Sequence, residues 1–351
     1  MGGQYACPSA DHNSSGRMIW LHRFTIILAS STLLLLVVGG LVTSTESGLA
    51  VPDWPNTYGY FMFSFPLSQM VGGIFYEHGH RLIASMVGFL TIILAGWIWF
   101  VDPRRWMRRL GVIALVTVIV QGTLGGITVL YYLPAPISIA HAGLAEIFFC
   151  LTVSIALFTS SGWLTGYSDP GRQHSPVHKD LALGRLTVIT TALIYLQILI
   201  GAAMRHTGAG LAIPDFPLAF GQLIPPSWSW EIGVHFTHRV GALFVVFAVM
   251  ATALHVLVHH RNKKELIQPA GFLILLVIVQ FTLGALTVLS GKHVGINTSH
   301  LGVGALLFVT SVVLTLRVNH TRLTMTSTPE TGGFAATSTT ASSHSSLGAN
   351  R

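Results

Sequence analysis

Eight long stretches of this chain carry almost no charge, and the sequence between them turns abruptly polar. Phe24–Val42, Leu82–Val101, Leu110–Tyr132, Ile137–Thr159, Leu186–Met204, Val240–Val258, Pro269–Gly291 and Ile296–Leu316 contain no Lys or Arg and one acid, Glu146. Each is close to the about 20 residues that a helix needs to cross a hydrocarbon core of about 30 Å. No water inside a bilayer satisfies a backbone amide, so such runs are predicted to be helices. The pattern predicts an all-α membrane protein with eight transmembrane helices.

Composition agrees. The 351 residues are 51% hydrophobic and only 9% Asp, Glu, Lys and Arg, against about 25% charged in soluble domains. A soluble enzyme is excluded. Two cysteines, Cys7 and Cys150, exclude a disulfide framework and any four-cysteine metal site within one chain. With the N-terminus placed inside, 15 of the 19 basic residues fall on one side: Arg17, Arg23, Arg104, Arg105, Arg108, Arg109, Arg172, Lys179, Arg185, Arg261, Lys263, Lys264, Arg317, Arg322 and Arg351. Arg81, Arg205, Arg239 and Lys292 lie outside or at outer helix ends. That bias predicts both termini in the cytoplasm and explains the basic charge without nucleic acid. The first apolar run is too long for a signal peptide and is read as a retained span. With no presequence recognised, the expected location is a bacterial plasma membrane. Residues 1–17 form a cytoplasmic tail and 161–185 a cytoplasmic linker. Residues 319–351, rich in Ser, Thr, Gly and Ala, are expected to be disordered.

The chain is written twice. Gly48-Leu49-Ala50-Val51-Pro52-Asp53-Trp54-Pro55 returns as Gly210-Leu211-Ala212-Ile213-Pro214-Asp215-Phe216-Pro217. His80-Arg81 returns as His238-Arg239, Gln121-Gly122-Thr123-Leu124-Gly125 as Gln280-Phe281-Thr282-Leu283-Gly284, and His141-Ala142-Gly143 as His300-Leu301-Gly302. Four motifs in one order at a near-constant offset indicate two parallel-repeated four-helix bundles, since four spans return the chain to its starting side. The Pro-Asp-aromatic-Pro loops read as turns or as caps over a ligand below. Gly125, Gly126, Gly284 and Ala285, with Thr123 and Thr282, read as close helix packing. Gln121 and Gln280 read as interhelical hydrogen bonds or as ligand contacts.

His80, His141, His238 and His300 sit near the outer ends of even-numbered spans, within about two helical turns of the interface. Each half holds one pair on two different helices. Two imidazoles per site, without Cys or a carboxylate cluster, argue against a four-ligand structural zinc and suit haem iron held from both faces. Arg81 and Arg239 would then lie near haem propionates, or simply snorkel to the headgroups. The halves differ at one place. Glu77-His78-Gly79-His80-Arg81 faces His235-Phe236-Thr237-His238-Arg239. Spacing of three puts Glu77 on the face of His80, and an acid at that depth is costly unless used or paired. One site is therefore expected to react and the other to move electrons. Glu146 reads as a proton relay or a paired acid, His22 and Arg23 as interface anchors, His255, His259 and His260 as surface, and Cys150 as packing.

With Glu-x-x-His-Arg at 77–81, His at 141, 238 and 300, and the Gly-Leu-x-x-Pro-Asp-Trp-Pro loop in place, the sequence resembles the haem A synthases over about residues 18–318. The resemblance implies oxidation of haem O to haem A for terminal oxidases, by two successive hydroxylations of the C8 methyl and loss of water to a formyl group. It implies an N-terminal bundle (18–160) binding haem O through His80 and His141, with Glu77 catalytic. It implies a C-terminal bundle (186–318) binding haem b through His238 and His300. Haem O synthase and an unidentified electron acceptor are the implied partners. Many members carry a cysteine pair in the first outer loop where this chain has Val51 and Thr57, so no thiol chemistry is expected there. The alternative reading is a two-haem, cytochrome b-like electron carrier.

Overall fold

The computed structural model describes residues 12–164 and 180–320. Residues 1–11, 165–179 and 321–351, with Cys7, Arg172, Lys179, Arg322 and Arg351, lie outside the described residues, while 12–17 of the predicted tail continue the first helix. Eight long helices carry the fold: α1 (His12–Ser44), α2 (Gly73–Val101), α3 (Arg105–Leu130), α4 (Ala135–Thr159), α5 (Leu181–His206), α6 (Trp230–His259), α7 (Lys264–Leu289) and α8 (Val294–Val318). All eight are long and apolar enough to span a membrane, and among the described residues there is no β-strand beyond two isolated bridges. The chain is a multi-pass membrane protein.

The helices overrun the apolar stretches where polar residues find partners. α2 starts at Gly73 rather than Leu82, and α6 at Trp230 rather than Val240. Those extra turns carry Glu77, His78, Arg81 and His235, all buried and all hydrogen-bonded. Two starts are capped by side chains. Asp180 accepts the Leu183 N–H at 2.8 Å, and Ser229 accepts that of Ile232 at 3.3 Å, satisfying amides that a first turn leaves free.

Within α1–α4 each helix packs on its chain neighbours and α1 closes on α4; α5–α8 make the same ring. α4 and α8 are the most buried spans, because α1 packs on α8 and α4 packs on both α5 and α8. One apolar core, around Leu28, Val87, Leu94 and Phe148, fills the first ring, and another, around Val249, Leu273, Leu276 and Phe308, fills the second. Phe149 and Cys150 of α4 belong to the second core, so Cys150 is packed as expected. Phe89, Ile92, Phe247, Leu254, Leu275 and Ile278 face outward, a surface that suits lipid tails.

A polar junction ties the rings together. Arg205, in the last turn of α5, donates to the Gly40 carbonyl of α1 at 3.0 Å and to Ser44 Oγ at 2.6 Å. The same Oγ receives Asn297 Nδ2 and Thr298 Oγ1 of α8. Charged hydrogen bonds each contribute about 1.5–3 kcal/mol. Arg205→Met should therefore lower the thermal midpoint of detergent-solubilised protein by several degrees, and an unchanged midpoint would show that the junction does not hold the halves.

Candidate functional site

The four repeated histidines lie on α2, α4, α6 and α8, each about two turns inside its helix. They are half-buried. His80 and His141 lie within electrostatic reach of each other, as do His238 and His300. Each ring stands over a glycine of the preceding helix. A Cβ at Gly39 would fall 3.0 Å from the Cε1 of His80, at Gly125 3.2 Å from that of His141, at Gly201 2.9 Å from that of His238, and at Gly284 3.1 Å from that of His300. Any larger residue would push the imidazole away. Gly125 and Gly284 thus make room for rings, where the sequence suggested helix packing. Gly126 receives the Trp54 indole, which brings the first loop down onto α3. Thr123 and Thr282 bond only their own helices.

Glutamines stand beside three of the rings. Gln121 Nε2 donates to the His141 carbonyl at 2.8 Å, and Gln197 Nε2 lies 2.7 Å from the His238 carbonyl and 3.0 Å from its Nδ1. His300 Nδ1 lies 3.2 Å from the Gln280 carbonyl and its Nε2 lies 3.4 Å from Gln280 Nε2, so one glutamine engages both ring nitrogens. Gln197 has no repeat partner, since Leu35 occupies the matching place, so self-comparison misses it. Buried Nδ1 atoms of His80 and His141 have no partner among the described residues. Paired imidazoles, each seated over a glycine, with an unpartnered Nδ1 at His80 and His141 among the described residues, fit axial ligands of an iron porphyrin.

Beside the rings, the loops are clasped to the helix starts. In the first half Glu77 Oε2 accepts the Val51 N–H at 2.7 Å and Oε1 pairs with Arg81 at 2.6 Å. Arg81 also donates to the carbonyls of Val51, Asp53 and Asn56. In the second half His235 Nδ1 accepts the Ile213 N–H at 3.2 Å, and Arg239 donates to the carbonyls of Ile213, Asp215 and Leu218. Spacing had directed Glu77 toward the porphyrin of His80 and both arginines toward propionates. These side chains engage loop backbone, and among the described residues no hydrogen bond joins Glu77 to His80. Val51 and Thr57, where a cysteine pair was considered, are fully buried, and Thr57 Oγ1 bonds His78 Nδ1 at 3.0 Å.

Elsewhere, Glu146 is buried, its Oε2 without a hydrogen-bond partner among the described residues, near Cys150 of its own helix and Tyr195 across the junction of the halves. His22 bonds Thr159, and the Arg23 guanidinium lies 5.0 Å from the Trp20 ring. His255 and His260 are half-buried on Asp180 rather than free on the surface. A groove of about 550 Å³ between α1, α4, α7 and α8, lined by Leu33, Phe149, Phe272 and Val309, touches none of the four histidines.

Asp53 accepts the N–H groups of Tyr58 and Gly59, and Asp215 those of Phe220 and Gly221, all at 2.8 Å. At Asp53 burial opposes ionisation, yet the two amides outweigh it and hold the carboxyl below its ordinary 3.8. At Asp215 the Gly221 and Phe220 amides lower it likewise. A depressed folded value gives stabilisation that is complete above the unfolded value and lost as pH falls through the folded one. Amide protection at Tyr58 and Gly59, corrected for intrinsic exchange, should therefore hold at pH 5 and collapse below 3.8. Protection that is flat with pH, or kept in Asp53→Ala, contradicts this. A second expectation concerns the cradles. Gly201→Val should strip porphyrin from the second half, while Gly271→Ala, where open space surrounds the added carbon, should leave it. Equal haem content in the two variants would remove the cradle from the account.

Comparison with known proteins agrees with this geometry. Residues 22–312 match the COX15-CtaA model, described as cytochrome oxidase assembly protein. A protein of Shouchella clausii named "Heme A synthase" is 31% identical over 77% of this chain and 87% of its own length. Proteins of the same name from Symbiobacterium thermophilum and Halalkalibacterium halodurans are 30% and 28% identical, covering 79% and 83% of this chain and 92% and 95% of their own. A match across nearly the whole membrane region, with all four histidines and both clasped loops inside it, makes this chain a member of the COX15-CtaA family.

Proposed function

We propose that the chain is a haem A synthase, an oxidoreductase of haem A biosynthesis. It oxidises the C8 methyl of haem O to a formyl group by two successive hydroxylations. Residues 18–160 would form the substrate bundle, with His80 and His141 taking haem O. Residues 186–318 would hold haem b between His238 and His300, with both termini in the cytoplasm of a bacterial plasma membrane. The observation that carries this reading is the pair of matched imidazole couples, each ring seated over its own glycine, in a chain whose relatives bear the synthase name.

Haem b, when bound, supplies one-electron transfer. The chain's own residues do the rest. The imidazoles of His80 and His141, and of His238 and His300, would hold a porphyrin from two helices in each half. The clasped loops close the histidine end of the bundle against water, with Trp54 laid against α3. Glu77 is the asymmetric element. It shares with His235 the task of holding a loop amide, but it alone offers a carboxylate that can accept a proton as water adds to the oxidised methyl carbon, or steady positive charge there. Arg81 Nη2 pairs with that carboxylate at 2.6 Å and fixes its orientation. Arg81 and Arg239 are taken up by loop carbonyls, and any propionate contact would use their remaining N–H groups.

Glu77→Gln separates these tasks, because the amide oxygen still accepts the Val51 N–H. Both porphyrins should remain, and formyl product, read by mass and by the pyridine haemochrome spectrum of extracted porphyrin, should fall by at least about 100-fold, the lower end for loss of an acid–base group. Full activity in this variant would remove Glu77 from the chemistry. Wild-type protein carrying two equivalent protohaems, with no farnesylated or formylated species, would instead indicate an electron carrier.

A further inference from the structure

At the end of the molecule opposite the four histidines, three metal-binding side chains converge. Asp180 Oδ2 lies 2.8 Å from His255 Nε2 and 2.9 Å from His260 Nε2. All three candidate donor atoms fall within 4.8 Å of one another. We propose that Asp180, His255 and His260 form a binding site for a divalent first-row transition ion of the zinc class, one that cross-links the start of α5 to the end of α6.

The geometry is built from both helices. Asp180 caps α5, and its Oδ1 accepts the Leu183 N–H at 2.8 Å, which turns Oδ2 toward the imidazoles. His255 lies in the closing turns of α6, and His260 is the residue that ends that helix. His259 stacks on His255 with ring centroids 4.5 Å apart, and its Nδ1 lies 3.1 Å from the His255 carbonyl. The carboxylate and one imidazole are thus held by further contacts, the support that orients metal ligands in proteins.

Without an ion, both Nε2 atoms must carry protons to bond one carboxylate oxygen. With an ion, each Nε2 turns its lone pair to the metal at about 2.0–2.2 Å and each ring carries its proton on Nδ1 instead. Two imidazoles and one carboxylate suit zinc, cobalt, nickel or ferrous iron, whereas magnesium and calcium take oxygen sets. The side chains are 11–23% exposed, which leaves water access for the remaining coordination positions. His255 lies about 25 Å along α6 from His238 at 1.5 Å per residue, so this site is separate from the porphyrin sites. It stands whether or not the chain is a haem A synthase.

The test uses the full chain, loaded with haem and purified without a histidine tag, with Co²⁺ alone and Zn²⁺ alone as probes. Wild type should bind one Co²⁺ tightly, giving visible ligand-field bands, and Zn²⁺ should displace it and raise the thermal midpoint. Asp180→Asn keeps a helix cap but loses the anionic ligand; His255→Gln/His260→Gln removes both imidazoles. Each should weaken Co²⁺ binding by more than the about 10–100-fold that loss of a supporting contact costs, with the haem spectrum unchanged. Absence of tight Co²⁺ binding by wild type overturns the proposal, and so does undiminished binding in either variant.

Discussion

An imidazole can stand between packed membrane helices only where the neighbouring helix gives up a side chain. Here that happens four times: Gly39, Gly125, Gly201 and Gly284 each lie under one histidine ring. Everything else at the histidine end follows from seating four rings in this way. Each ring lies within electrostatic reach of its partner in the same bundle, and backbone carbonyls and glutamine amides stand beside three of them. A porphyrin iron with two axial imidazoles asks for this arrangement, and packing alone gives no reason to repeat it.

The loop clasps show how one structural task can be shared and a chemical task kept apart. Both halves need an acceptor for the amide that enters the loop. Glu77 fills that place in one half and His235 in the other. Both halves also need a guanidinium to gather loop carbonyls, and Arg81 and Arg239 do so. An acceptor role alone does not require a carboxylate, because imidazole serves. The acid at position 77 is where the two clasps differ, and the proposed chemistry rests on that difference.

Much of this was legible in the residues. Spans follow from uncharged length, and pairs such as His80 with His141 follow from repetition, because both signals are local or periodic. Long-range choices were not legible. Gly39 and Gly201 drew no reading at all, since nothing in a linear sequence says which ring crosses from the next helix. Glu77 shares a helix face with His80 by spacing, but at i,i+4 it meets Arg81, and the loop amide of Val51 draws it further; a distant backbone group outweighed the local geometry. Gln197 lacks a repeat partner and left no signal. Asp180, His255 and His260 are separated by 75 residues or more between the aspartate and its partners, so only folding brings them together.

Replacing the four repeated histidines one at a time, and counting porphyrins per chain by low-spin ferric electron paramagnetic resonance, tests the central claim most directly. The account predicts that His238→Ala and His300→Ala each abolish the same bis-imidazole signal, and that His80→Ala and His141→Ala each abolish a different one. Retention of both signals in any of the four variants would contradict it.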